Sequence, residues 1–224
     1  MPLFSKLLSK GKVSFSQCGE DLIVDFVFKN LLKIEKPSFI DIGANDPIKF
    51  NNTFRLYKAG SRGINIDPNK QSIRVFNKKR KNDINIHCGI GSEKGVKMFY
   101  IFKNSMQNTF DEDVANVNGD VLLKEPVEIK LIKDVIDLYS NSQFPDFLSL
   151  DTEGMDLEIL ESIDFNHTFP KVVCVETVEK IDHNRYKKNH AIPKFLSSKN
   201  YVHHSDTYIN SIFIHKAFLK INLE

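Results

Sequence analysis

The 224-residue sequence has no tryptophan, only three cysteines, no surplus of either charge and no long apolar run. Cys18, Cys88 and Cys174 are odd in number and widely spaced, which argues against a disulfide framework, and no CxxC pair suggests zinc. The simplest setting for such thiols is reducing and cytoplasmic. Cys88 and Cys174 lie in apolar runs and are expected as small core residues. Lys and Arg number 31 against 29 Asp and Glu, a balance that argues against a nucleic-acid partner, which would need a basic face. No run approaches the roughly 20 apolar residues of a membrane span, so no stable membrane insertion is expected. The opening MPLFSKLLSKGK is basic, but its apolar stretch is too short and interrupted for a secretory signal. The missing tryptophan and the abundance of Lys, Asn and Ile reflect composition bias rather than function.

What is present is ordinary for a globular protein: 41% apolar and 27% charged residues. The length suits one domain with a full core. No repeat or low-complexity linker divides the chain, so 1–224 reads as a single domain with residues 1–36 as an N-terminal helical segment packing on it. Residues 19–33 space Leu22, Ile23, Phe26, Val27, Leu31 and Leu32 as one helical face. Short apolar strands are expected at 38–43, 63–67, 84–88, 96–102, 127–132, 146–151 and 171–177. Helices are expected at 51–59 (opened by Asn caps), 69–79, 133–140, 154–162 and 190–199. Segments 201–207 and 210–216 read as an antiparallel hairpin. Segment 103–125 is polar and irregular. Strands alternating with helices predict an α/β fold: an open, mostly parallel sheet covered on both faces. Ligands in such sheets bind beyond the carboxyl ends of the strands, and that rule ranks the motifs.

Asp41-Ile42-Gly43-Ala44-Asn45-Asp46-Pro47 ends the first strand. Gly43 allows a tight turn and close approach of the backbone to a ligand. The later glycines of GxGxxG are missing, which disfavours a pyrophosphate cradle. Asp67 ends the second strand, 24 positions after Gly43, where an acid accepts hydrogen bonds from ribose hydroxyls. Asp151-Thr152-Glu153-Gly154-Met155-Asp156 follows a buried run, and Glu176 ends the adjacent strand. These carboxylates suit a base, a hydrogen-bond acceptor or a hard-metal site formed by Asp151, Glu153 and Glu176. The plainer alternative is helix capping by Asp151 or Thr152. Ser16-Gln17-Cys18-Gly19-Glu20-Asp21 reads as a helix cap. His183 is a candidate loop base, and Lys78-Lys79-Arg80-Lys81 reads as a solvated helix end.

In SQCGEDLIVDFVF, FIDIGANDP, NNTFRLYKAGSRGINIDPN, INIHCGIGSEKG, DFLSLDTEGMDLEIL and KVVCVET, in that order over about 15–180, the sequence resembles the FkbM family of S-adenosylmethionine (SAM)-dependent methyltransferases. The resemblance implies a class I methyltransferase (Rossmann-like) fold, with a seven-stranded sheet whose last strand is antiparallel. It implies SAM as cofactor and O-methylation, often of sugars or natural products, hence a small-molecule or glycan acceptor. Carried over, Asp41, Gly43, Ala44 and Asn45 border the methionine end of SAM, and Asp67 with Pro68 holds the ribose. Cys88 and Gly89 flank the adenine, and Asp151 lines both cofactor and transfer cleft. Glu153, Asp151 and His183, in that order, are the candidate bases, with a divalent metal as a variant. Ser149 stands where many relatives carry lysine, and no role is carried over to it. Two competing readings are a SAM- or nucleoside-binding module without methyl transfer, and an NAD-dependent oxidoreductase that lacks the pyrophosphate glycines.

Overall fold

A computed structural model describes residues 11–182 and 185–219. The opening residues 1–10, His183 and the last five residues lie outside the described residues. In chain order the strands are β1 (Phe39–Ile42), β2 (Gly63–Asp67), β3 (Ile84–His87), β4 (Gly89–Ile90), β5 (Gly95–Ile101), β6 (Leu123–Lys130), β7 (Phe147–Leu150), β8 (Val172–Glu176), β9 (Val178–Asp182), β10 (Arg185–Lys188), β11 (Tyr201–Asp206) and β12 (Asn210–His215). The helices are α1 (Glu20–Phe26), α2 (Phe54–Lys58), α3 (Lys70–Lys79), α4 (Glu112–Asn118), α5 (Ile132–Tyr139), α6 (Asp156–Glu161) and α7 (Ala191–Ser198).

Seven strands form the main sheet in the order β11-β12-β8-β7-β1-β2-β3. The β8-β7-β1-β2-β3 stretch is parallel, and β12 runs antiparallel to both β8 and β11. The chain winds from β1 outward through β2 and β3, then returns to the other side of β1 as β7. That reversal opens a crevice beyond the ends of β1 and β7. The expected α/β sheet and its antiparallel hairpin are therefore present.

The sheet is buried on both faces because alternate residues of each strand feed two cores. On β1, Ile40 and Ile42 join one core with Ile132, Val135, Ile159 and Leu196 of α5, α6 and α7. Phe39 joins the other, with Val24, Val27 and Phe28 of the first helical segment and Leu56 of α2. Cys88 and Cys174 are fully buried and all three cysteines are free thiols. Among the described residues no helix is long and apolar enough to cross a membrane.

Several boundaries differ from the sequence expectation, each for a local reason. The first helix widens into a π-helical stretch, Val27–Leu32, and stops at Lys33 in a left-handed conformation (φ 57°). The second helix begins at Phe54, not residue 51, because Asn51 and Thr53 spend their side chains on buried bonds. The strand expected at 96–102 is β5, and it leaves the main sheet. It pairs with β6, which begins at Leu123 rather than 127, in a separate sheet of order β4-β6-β5. Segment 103–125 holds a 3-10 turn (Ser105–Gln107) and α4, whose Asp111 cap accepts from Asp113 and Val114 amides at 2.8 and 3.0 Å. The hairpin β9-β10 has no counterpart in the sequence expectation.

Candidate active site

The loop after β1 is built by the glycine. Gly43 has φ 79°, and a Cβ there would lie 1.7 Å from the Asp151 carbonyl oxygen. The backbones leaving β1 and β7 therefore touch, as only glycine permits. The Gly43 and Ala44 amides both donate to the Ile66 carbonyl, at 3.0 and 3.1 Å. The Asn45 amide donates to Asp67 Oδ2 at 2.8 Å, and the Asn69 amide to Asp67 Oδ1 at 2.7 Å. Asp67 is thus pinned at the end of β2 by one backbone bond to each oxygen, which leaves lone pairs for a ligand. Burial is the main cause that pushes its carboxyl up to about 6, against those two amides.

These groups line a cleft of about 870 Å³, counting space open to solvent. Gly43, Asn45, Asp67, Pro68, Asp151 and Glu153, expected at the site from sequence, all border it. Thr152 and Met155 complete the β7 side. The turn here is organised by Asp156, which accepts from the Thr152 amide and hydroxyl at 3.0 and 3.1 Å. The capping alternative for Asp151 or Thr152 is not what is found: Met155 is the N-cap, with no side-chain bond. Glu153 is held at φ 55°, followed by Gly154 at 116°. Burial, then the nearby carboxylates of Glu153, Asp156 and Asp41, raise the Asp151 carboxyl well above its ordinary range. Burial and the charges of Asp151, Glu153 and Asp156 likewise push Glu176 up.

Other expected site residues are placed elsewhere. Asp41 is fully buried and faces α2, not the cleft, because it shares the face of β1 that Phe39 occupies. It accepts from Thr53 Oγ1 at 2.8 Å and from Asn51 Nδ2 at 3.2 Å. The same Asn51 amide also reaches the Ala44 and Asp46 carbonyls, at 3.3 and 3.0 Å. Asp41 therefore braces the loop from beneath. Arg80 is not a solvated helix end but a fully buried guanidinium, bonded to Asn51, Thr53 and Asp83 and lying over the rings of Phe39, Tyr57 and Phe76. Ala44, Cys88 and Gly89 are buried outside the lining. A Cβ on Gly89 would meet Ile129 at 2.6 Å and Phe110 at 2.9 Å, so that residue serves close packing within the small sheet and against Phe110. Glu176 does not border the cleft. Among the described residues no three His, Cys, Asp or Glu side chains converge as a metal site requires, so Asp151, Glu153 and Glu176 do not fit a metal ligand set. His183 lies outside the described residues.

The residues missed from sequence form the opposite wall. Ile90 and Phe99 of the small sheet, Ser105, Met106, Asn108, Thr109 and Phe110 of the loop after it, and Phe50 and Gln17 all line the cleft. Phe50 is 64% exposed in a left-handed conformation (φ 51°), an aromatic held out over the opening. The one sequence signal for this wall was a pair of phenylalanines, Phe99 and Phe110, in or beside a polar stretch; their rings meet in a tilted pair with centroids 4.7 Å apart.

A family model described as methyltransferase FkbM domain matches residues 41–203. No curated protein matches the sequence. Among solved structures, the methyltransferase FkbM from Methylobacillus flagellatus KT is similar at 15% identity and a TM-score of 0.48, covering 81% of this chain and 44% of its own. The chain thus spans less than half the length of that relative. TehB from Haemophilus influenzae is 10% identical with a TM-score of 0.46, over 95% of this chain and 66% of its own. Precorrin-6y C5,15-methyltransferase from Geobacter metallireducens GS-15 is 12% identical with a TM-score of 0.39, over 94% and 93%. These three likenesses assign no role to any residue.

Proposed function

Because the chain belongs to the methyltransferase FkbM domain family, we propose that it transfers a methyl group from SAM to a hydroxyl of a sugar, glycan or small natural product, in the cytoplasm and without a nucleic-acid partner. The observation that carries this reading is the state of the loop after β1. The Gly43, Ala44 and Asn45 amides are all spent on Ile66 and Asp67. A phosphate-binding turn must offer such amides to the anion, so this loop suits a ligand without phosphate there. Beside it Asp67 offers a carboxylate to hydroxyl donors, and Ile90, Phe99 and Phe110 offer apolar walls to a base. The residues present therefore fit a nucleoside with an amino-acid tail better than a dinucleotide.

Bound SAM supplies a methyl group on a sulfonium, already activated for transfer. The protein's task is then chiefly positioning. Asp67 holds the ribose hydroxyls, and Pro68 and Asn45 shape the pocket on either side. Glu153 and Asp151, at the β7 end, accept the proton of the acceptor hydroxyl. Such a base contributes roughly 10²–10⁴-fold, and burial, which raises the Asp151 carboxyl, makes its ionised form a stronger base than an exposed aspartate. Titration calorimetry with S-adenosylhomocysteine and with NAD, followed by a labelled-methyl screen against neutral sugars, tests the reading. Tight binding of NAD with none of S-adenosylhomocysteine overturns it; cofactor binding without turnover on any acceptor favours a binding module.

A further inference from the structure

The family match begins at residue 41, yet Gln17, well before it, borders the cleft. Its position is fixed from both sides. Ser16 Oγ accepts from the Gly19 and Asp21 amides at 3.1 and 3.2 Å. Glu20 Oε2 accepts from the Cys18 amide at 2.8 Å. Glu20 itself is fully buried, and its Oε1 accepts from Thr207 Oγ1 at 2.7 Å and Asn210 Nδ2 at 3.0 Å. Asn210 opens β12 directly opposite Glu176, the last residue of β8. The segment is thus clamped to the β8–β12 side of the crevice.

That side is where a cofactor's amino-acid end must lie. With the ribose at Asp67 on β2, the tail runs past Gly43 towards β7, two strand spacings or about 10 Å away. The cleft lining contains no lysine, arginine or histidine among the described residues. A ligand carboxylate there must meet neutral donors. The Thr152 amide and hydroxyl are both given to Asp156, and the Gly43 and Ala44 amides to Ile66. Of the side-chain amides that line the cleft, those of Gln17, Asn45 and Asn108, that of Gln17 stands on the segment clamped to the β8–β12 side, with a donor for a carboxylate and an acceptor for an ammonium.

Resting on the SAM reading above, we propose that Gln17 binds the amino-acid end of the cofactor and that Glu20 is its positioning residue, tying it to the β11–β12 turn. The test compares two probes, S-adenosylhomocysteine and 5′-methylthioadenosine, which lacks the amino-acid end. Gln17→Ala should weaken the first about tenfold or more, as loss of a hydrogen bond to a charged group does, and leave the second within twofold. Glu20→Gln should show the same selective loss, smaller in size. A purely structural role would lower the melting temperature or weaken both probes alike, and either of those results, or no change in either affinity, overturns the proposal. If neither probe binds the unaltered protein, the SAM reading itself falls and this inference with it.

Discussion

Replacing Arg80 with methionine keeps an unbranched apolar stem and removes the guanidinium with its charge. Arg80 and Asp83 form an ion pair at 2.8 Å with both side chains fully buried. The same guanidinium donates to Asn51 Oδ1 at 3.1 Å and to Thr53 Oγ1 at 2.8 Å, the two residues that hold Asp41. Breaking one partner of a buried pair costs about 3–5 kcal/mol, because the other charge stays buried. Against a total stability of about 5–15 kcal/mol the variant should fold, but marginally. The deficit should also depend on pH. Burial raises the Asp41 carboxyl, and the charge of Arg80 is the largest influence holding it down. Without that charge the folded-state pKa of Asp41 rises further above its unfolded value. A group whose folded pKa is raised binds more protons when folded, so stability increases as pH falls through that range. Urea unfolding at pH 8 and pH 5.5 should therefore show a smaller deficit at the lower pH. A deficit below about 1 kcal/mol, against the 3–5 expected, or one that grows on acidification, would refute the view that Arg80 neutralises a buried carboxylate network.

The other expectations are simpler. Gly43→Ala places a Cβ 1.7 Å from a backbone oxygen at φ 79°. The left-handed conformation alone costs roughly 1–2 kcal/mol, and the clash should part the two loops and abolish S-adenosylhomocysteine binding in calorimetry; near-normal affinity would mean the contact is not needed. Asp67→Ala should weaken that ligand by about 1.5–3 kcal/mol while the fold survives a thermal melt. Since Asp67 must be ionised to accept two hydroxyl donors and its carboxyl sits at about 6, affinity should decline as pH falls below 6. In Asp67→Asn that decline should vanish, and an equal slope in both proteins would exclude Asp67 as its source. Methyl transfer should survive exhaustive chelation, because Asp151, Glu153 and Glu176 do not converge on one point; loss of turnover restored by a divalent cation would contradict this.

The chain's own pattern determined the alternation of strands and helices, the hairpin at 201–216, and the strand-end positions of Gly43, Asp67 and Asp151. Those features follow from local periodicity and from the rule that ligands meet parallel strands at their carboxyl ends, both of which are written in adjacent residues. Asp41 and Arg80 were misread for a common reason. An acid near a strand end reads as ligand-facing, and an arginine in a basic run as solvated, until their burial partners are known. Asp41 lies in register with Asn65 on one side and Ser149 on the other, a polar row covered by Asn51, Thr53 and Arg80 from distant parts of the chain. The second wall was decided entirely by tertiary structure. Segment 103–125 has no periodic face to read, and β5 was free to pair with β6 instead of the main sheet because strand pairing depends on which edge a chain meets in space. Gln17 borders the cleft on a segment that Glu20 ties to Thr207 and Asn210, contacts that span 187 and 190 positions of sequence.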